Sequence, residues 1–169
     1  MKIVIRTVAI ATTLCVVAHG GTTAAANGHQ AATAGEIKRI LMAEARRMRV
    51  PTALALAVAH VESGFDPYAE SHAGARGVMQ IMPATAMGEY GVGADWLWNP
   101  LINVRIGLHF LKRLIERYGR IDVALSHYNG GSRVGPPGRA RVLPYTRDYV
   151  IKVHRLAARY RWQIRNGRV

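Results

Sequence analysis

Apolar residues recur at helical spacing along most of the chain, and nowhere do they alternate for long. From about Gly35 to Arg49, the side chains Ile37, Ile40, Leu41, Ala45 and Met48 fall on one stripe, the mark of a helix packed by one face. Pro51 suits the first position of a second helix, where its fixed φ and missing N–H do no harm. That helix continues through Leu54, Val58 and Val61, and Ala53, Ala55, Ala57 and Ala59 make it slim enough to bury. Gly64 is placed to end it in a left-handed cap. Met82-Pro83 opens a short helix reaching about Met87, and Asn99-Pro100 caps and starts a longer one. The longer helix carries Ile102, Ile106, Phe110 and Leu114 and stops near Gly119. Asp122 is expected to cap another short helix ending at Tyr128-Asn129-Gly130-Gly131. Pro144 then begins a last helix through Tyr149, Val153, Leu156 and Tyr160.

Two stretches break the period. Residues 65–82 are rich in Gly, Pro, Ser and Ala and read as a structured loop, with short strand possibilities only around 75–80. Residues 132–143 hold glycine and proline together and are loop as well. The pattern predicts a mainly α single domain of about six helices, with little or no strand.

The first residues follow a different logic. Lys2 and Arg6 give a positive start, Thr7 to Ala18 is a short apolar run, and Ala24-Ala25-Ala26 is a cleavage signal before Asn27. Residues 1–26 read as a signal peptide, since the run is well short of the roughly 20 residues a spanning helix needs. The expected organisation is this leader, a flexible lead-in over 27–34, a domain over 35–160 and a frayed basic tail over 161–169. Cys15 is the sole cysteine and leaves with the leader, so packing alone must hold the domain. An exported, periplasmic monomer without a transmembrane anchor is the expectation.

Charge narrows the partners. Lysine and arginine number 23 against 10 acids, a net charge of +13, and losing Lys2 and Arg6 lowers it by only two. Such a field draws polyanions. Outside the inner membrane these are cell-wall strands with carboxylated peptide stems, and lipid headgroups. Nucleic acid would require retention in the cytosol, which the leader argues against. A solvated arginine-rich surface is an equal reading.

One acid stands out. Glu62 lies in the last helical turn beside Val58 and Val61, where apolar neighbours and the negative end of the helix dipole both disfavour its charge. A glutamate raised toward neutrality can protonate a leaving oxygen and later take a proton back. The plain alternative is a surface glutamate, in a place that favours cations. Downstream, Gly77 permits close backbone approach, Gln80 offers an amide to a sugar hydroxyl or acetamido group, and Met79 and Met82 offer adaptable apolar surface. Met79, Ile81 and Met82 equally read as core, Ile81 most of all. Asp66, before Pro67, reads as a turn residue, and Glu70 faces either a groove or solvent. Ser63 reads as a backbone partner rather than a nucleophile. The histidines, His127 beside Tyr128 included, show no ligand spacing, so no metal or other cofactor is expected.

The runs Glu62-Ser63-Gly64-Phe65-Asp66-Pro67 and Gly77-Val78-Met79-Gln80-Ile81-Met82-Pro83-Ala84-Thr85-Ala86 closely resemble the signature of the family 1 soluble lytic transglycosylases. Asn99-Pro100, Asn103, Gly107 and Leu111 continue the likeness, followed by Tyr128-Asn129 with Gly131, and by Thr146-Arg147 with Tyr149-Val150. It spans about Ile37 to Tyr160. The resemblance implies a lysozyme-like fold with Glu62 as the single catalytic acid and base. It also implies cleavage of the β-1,4 bond between N-acetylmuramic acid and N-acetylglucosamine in peptidoglycan, closing a 1,6-anhydro ring. Ser71, Gln80, Met82, Tyr128 and Asn129 match positions that line or shape the glycan groove. Small members of this kind open the wall for secretion systems, pili or flagella, whose components become candidate partners beside glycan strands. The chain departs from the family at Tyr145, where many members carry a second glutamate, at Phe110 in place of tyrosine, and at Gly130 in place of alanine. Tyr145 is expected to hydrogen-bond Glu62 or the sugar. A hydrolytic muramidase on the same fold and a non-catalytic wall-binding module are the alternatives.

Overall fold

The computed structural model describes residues 32–169. The leader expected over 1–26, with Cys15, and most of the lead-in lie outside the described residues. Helix α1 covers Ala34–Met48, α2 Thr52–Ser63, α3 Pro83–Tyr90, α4 Pro100–Tyr118, α5 Ile121–Gly130 and α6 Arg147–Arg165. Short 3₁₀ turns lie at Ala94–Trp98, Ser132–Val134 and Pro144–Thr146. Among the described residues, strand pairing is confined to isolated bridges joining Glu70 to Arg76 and Arg76 to Ile81, in the region where short strands were conceivable. The fold is mainly α, as the periodicity predicts.

Helix ends follow local chemistry. Thr33 and Glu36 form a reciprocal capping box, the Thr33 N–H donating to Glu36 Oε2 at 2.7 Å, so the lead-in already ends at Thr33. Asn99 Oδ1 accepts from the N–H groups of Leu101 and Ile102 and starts α4 as expected. Gly64 ends α2 at φ 64°. Asp122 is not a cap: Arg120 holds that position, and Asp122 sits in the first turn of α5 bound to Arg120 and to the Val123 N–H. Nor does the final helix fray after Arg161. It continues to Arg165 because Ile164 extends the stripe of Val153, Ala157 and Tyr160 and packs on the same core.

At the centre lies α2, whose residues from Ala53 to Ala59 are all buried. It packs against α6 and α1, while α4 lies against α1 and α5. Alanines on α2 let these neighbours approach closely, and Leu56, Val58, Leu108, Leu111 and Val153 fill the space between. Glu44 is the one acid buried in this framework. Arg105 of α4, at 3.0 Å, holds its carboxyl below the usual range and ties α4 to α1.

A second anchor fixes the loop after α2. Asn103, fully buried on α4, accepts from the Met79 N–H at 2.7 Å and donates to the carbonyls of Arg76 and Leu97 at 2.8 and 3.0 Å. Gly77 lies directly against it at φ 72°, where a Cβ would come within 2.5 Å of Asn103 Nδ2 and 2.6 Å of the Leu97 carbonyl. No side chain fits there, so the Gly77 and Asn103 identities are coupled. Asn103→Ala is expected to strand one buried N–H and two carbonyls, lowering unfolding free energy by about 3 kcal/mol or more in denaturant titrations.

Candidate active site

Three segments converge at the C-terminal end of α2. The Ser63 hydroxyl donates to the Val78 carbonyl at 2.8 Å and accepts from the Phe65 N–H at 3.1 Å, joining the helix end to the following loop. Ser63 is thus the backbone partner its sequence context indicates. Phe65 takes a left-handed backbone, φ 74°, that a bulky residue adopts only under constraint. Its buried ring packs on His60 and Tyr160 and holds that constraint.

Glu62 sits just before this junction, partly exposed, with its carboxyl desolvated by the surrounding protein. Tyr149 of α6 donates its phenol hydrogen to Glu62 Oε1 at 2.6 Å. Burial raises the Glu62 pKa from 4.5 to about 7, and the Tyr149 hydrogen bond acts in the opposite, lowering sense. Near neutrality the group is therefore divided between acid and carboxylate. Burial and the nearby Glu62 carboxyl push the Tyr149 and Tyr128 phenols well above their ordinary range, so both remain hydrogen donors. With Oε1 occupied, Oε2 is the oxygen free to exchange a proton with a ligand.

A cleft of about 330 Å³ brings together Gln80, Met82, Tyr128 and Asn129, four of the residues named from sequence, with Ile81, Thr85 and Phe110 also in its wall. Met82 is exposed at the start of α3 and belongs to the cleft, Met79 is core, and Ile81 is a core residue that also reaches the cleft wall. Gln80, with φ 48°, donates its amide hydrogens to the carbonyls of Ala69 and Gly77 at 2.9 and 3.1 Å. Its donors are spent within the loop, and only its carbonyl oxygen is left for a ligand. Tyr128 likewise spends its hydroxyl hydrogen on the Met79 carbonyl at 2.8 Å and offers its ring beside Phe110.

Glu62, Ser71 and Tyr145 are not part of the cleft lining; Glu62 is linked to it through Tyr128, whose phenol feels the Glu62 carboxyl. Ser71 Oγ accepts from the Ala75 N–H at 3.0 Å, closing a turn in the loop. Tyr145 does not reach Glu62 as expected; it donates to the Gly130 carbonyl at 3.2 Å, and its exposed ring lies over that glycine. A Cβ on Gly130 would meet Thr146 Cγ2 at 2.7 Å and Tyr145 Cε2 at 3.1 Å, so two departures from the family pattern accompany each other. The phenol that reaches Glu62 belongs to Tyr149, one helical turn later. Sequence reading placed Tyr149 on the apolar stripe of the last helix; a polar tip on that buried stripe was the available signal.

The other carboxylates near the loop are engaged. Asp66 accepts from the Tyr68 N–H at 2.8 Å, the turn role its position predicts, and Glu70 pairs with Arg76 at 3.3 Å. Glu89, which sequence reading passed over, lines the cleft bound to Arg113. His127 also lines it, with Nδ1 2.8 Å from the Tyr118 hydroxyl.

Because Glu62 holds its proton more tightly in the folded chain, its contribution to stability is complete below its ordinary pKa of 4.5 and is lost as pH rises through about 7. Glu62→Gln removes that loss. The stability of this variant relative to the parent should grow by up to about 3 kcal/mol between acid and mildly alkaline pH, measured by denaturant unfolding. An advantage independent of pH would contradict the raised pKa.

Comparisons place this geometry among known proteins. A family model described as the transglycosylase SLT domain matches residues 39–136, ending before α6 and therefore before Tyr149. Membrane-bound lytic murein transglycosylase C of Glaesserella parasuis is 29% identical, with 69% of this chain and 43% of that protein covered. The transglycosylase of Enterobacteria phage PRD1 is 37% identical over 79 residues, 47% of this chain and 29% of the phage protein. Among solved structures, the lytic transglycosylase Slt of Pseudomonas aeruginosa, in an inactive glutamate-to-glutamine form, superposes with a TM-score of 0.63 at 25% identity. That match covers 76% of this chain and 24% of the Pseudomonas chain. The 70 kDa soluble lytic transglycosylase of Escherichia coli gives 0.63 at 26% identity, covering 75% and 24%. The chain spans less than half the length of these relatives. With more than half of its residues inside the matched segment and the lysozyme-like helical fold around them, it belongs to the SLT-domain transglycosylases.

Proposed function

We propose that this chain cleaves the β-1,4 bond between N-acetylmuramic acid and N-acetylglucosamine in peptidoglycan by lytic transglycosylation. The observation that carries the reading is a desolvated Glu62, poised near neutrality and oriented by Tyr149, at the α2 end held by the same loop that supplies Gln80 and Met82 to the cleft. In its acid form Glu62 gives the Oε2 proton to the bridging oxygen, and the C1–O bond breaks as positive charge develops on the muramic acid ring. The resulting carboxylate faces that charge, then takes the proton of the C6 hydroxyl as its oxygen closes on C1. The product is a 1,6-anhydro end, no water is consumed, and Glu62 returns to its starting form.

A second reading, hydrolysis, draws on Glu89, because two carboxylates flanking a bond suffice to activate water. Glu89 is bound to Arg113, which makes it a weaker candidate for a base than a free carboxylate. Exported action at the wall, as a local opening for a secretion system, pilus or flagellum, belongs to the same proposal and rests on the resemblance alone.

Purified sacculi digested with the protein should release muropeptides lighter by one water than the hydrated sugars. Glu62→Gln should reduce release by about 10² to 10⁴-fold, with circular dichroism and sacculus binding unchanged. Reducing ends in place of anhydro ends would establish hydrolysis, and undiminished release by the variant would remove Glu62 from the chemistry. Tyr149→Phe tests the orienting bond separately. Without the phenol donor the carboxylate is less favoured, so the alkaline limb of the rate profile should move to higher pH while the maximal rate falls severalfold. An unmoved limb would mean that Tyr149 does not set the acidity of Glu62.

A further inference from the structure

Unpaired cations occur on several elements of the described residues, and α6 carries the longest continuous array of them. Helix α6 carries six arginine or lysine side chains and a single acid, Asp148. Elsewhere the acids are largely matched: Arg47, Arg76, Arg105, Arg113 and Arg120 all form ion pairs within the described residues. Among those residues no arginine or lysine of α6 does.

The outward face of α6 has a definite pattern. Ile151, Ala158 and Trp162 stand at positions i, i+7 and i+11, within about 20° of one line along the helix. All three are exposed, Ile151 at 48% and Trp162 at 46%, and Arg168 stacks on the Trp162 ring. Arg147, His154, Arg161 and Arg165 border this apolar line on one side. Lys152, Arg155 and Arg159 border it on the other, together with the helix's single acid, Asp148. The pattern runs the full 19 residues, about 28 Å.

Each flank opens into a groove. One of about 480 Å³ has apolar walls from Leu54, Ile121 and Ile164, with Arg161 and Arg165 contributing to its lining. The other, about 580 Å³, is lined by Lys152, Arg155, Arg159 and His60, with Ile151 and Leu156 as apolar wall and Asp148 as its one carboxylate, so cations outnumber the acid three to one. Cations beside apolar recesses fit an anionic amphiphile better than a wholly polar polymer, which would leave Ile151, Trp162 and the apolar groove unused.

We propose that the outward face of α6 is a docking surface for a bilayer containing anionic phospholipids, with Trp162 and Ile151 entering the headgroup region and the flanking cations meeting phosphates. This is an interfacial contact, not a spanning one; no helix of the described residues is long and apolar enough to cross a membrane. Tyr149 lies about 160° around the same helix from Ile151, pointing into the protein toward Glu62. Docking on the outward face therefore leaves Glu62 and the cleft lined by Gln80 and Tyr128 uncovered, and the chain would work on wall next to a membrane.

The test uses the full chain with vesicles of phosphatidylcholine, alone or mixed with phosphatidylglycerol, in co-sedimentation at low and high salt. The parent should partition onto the anionic vesicles in a salt-sensitive way. Arg155→Glu with Arg159→Glu should weaken that partitioning by about 30-fold or more, since each lost cation removes about fivefold. Trp162→Ala should weaken it at every salt concentration. Circular dichroism and sacculus digestion serve as controls, and both should be unchanged, because none of these side chains belongs to the cleft. Equal binding to neutral and anionic vesicles, or charge-reversed protein binding as the parent does, would overturn the proposal. So would loss of binding to sacculi rather than vesicles in the charge-reversed form, which would assign the face to wall polymer.

Discussion

A single hydrogen bond, from the Tyr149 phenol to Glu62 Oε1, ties the chemistry of this molecule to its architecture. Its two ends lie on α2 and α6, 87 residues apart in sequence, and it exists only because those helices pack face to face. Burial drives the Glu62 proton affinity upward, and the phenol restrains the rise. The balance leaves an acid near its midpoint at neutral pH, suited to giving and then recovering a proton. The hydrogen bond would not survive if α6 were displaced, since Tyr149 is the only α6 side chain bonded to Glu62 among the described residues.

The loop facing Glu62 is held as firmly as a helix, though it has no regular structure of its own. Asn103 bonds to three backbone groups within it and near it, Gly77 allows that approach, and Ser63 joins it to the end of α2. Several residues that a ligand-centred view assigns to substrate are also structural. Gln80 and Tyr128 give their hydrogens to backbone carbonyls, and Ser71 closes a turn. Buried polar groups must be satisfied, and here that requirement fixes the wall of the cleft before any ligand arrives.

Charge is distributed with the same economy. Carboxylates lie mainly on α1, α3, α4 and the loops, matched by nearby arginines, and α6 keeps its cations unmatched. One helix thus presents a hydrogen-bond donor for Glu62 inward and a basic, apolar-lined face outward. The two faces share a backbone and no side chain, so the surface can be altered without disturbing the acid.

What the sequence determined by itself was whatever depends on neighbours along the chain. Helical period, the Asn99 and Gly64 caps, the loop between α2 and α3 and the unfavourable setting of Glu62 are all local, because apolar spacing and backbone preferences act within a few residues. Tertiary structure alone decided which phenol meets Glu62. Tyr145 and Tyr149 differ by one helical turn, and only the packing of α6 on α2 turns Tyr149 inward and leaves Tyr145 over Gly130. The same holds for the helix beyond Arg161, which a polar composition hides and which Ile164 sustains by burying itself against the core. Contacts between residues far apart in the chain depend on the relative placement of whole helices, and no local pattern encodes that.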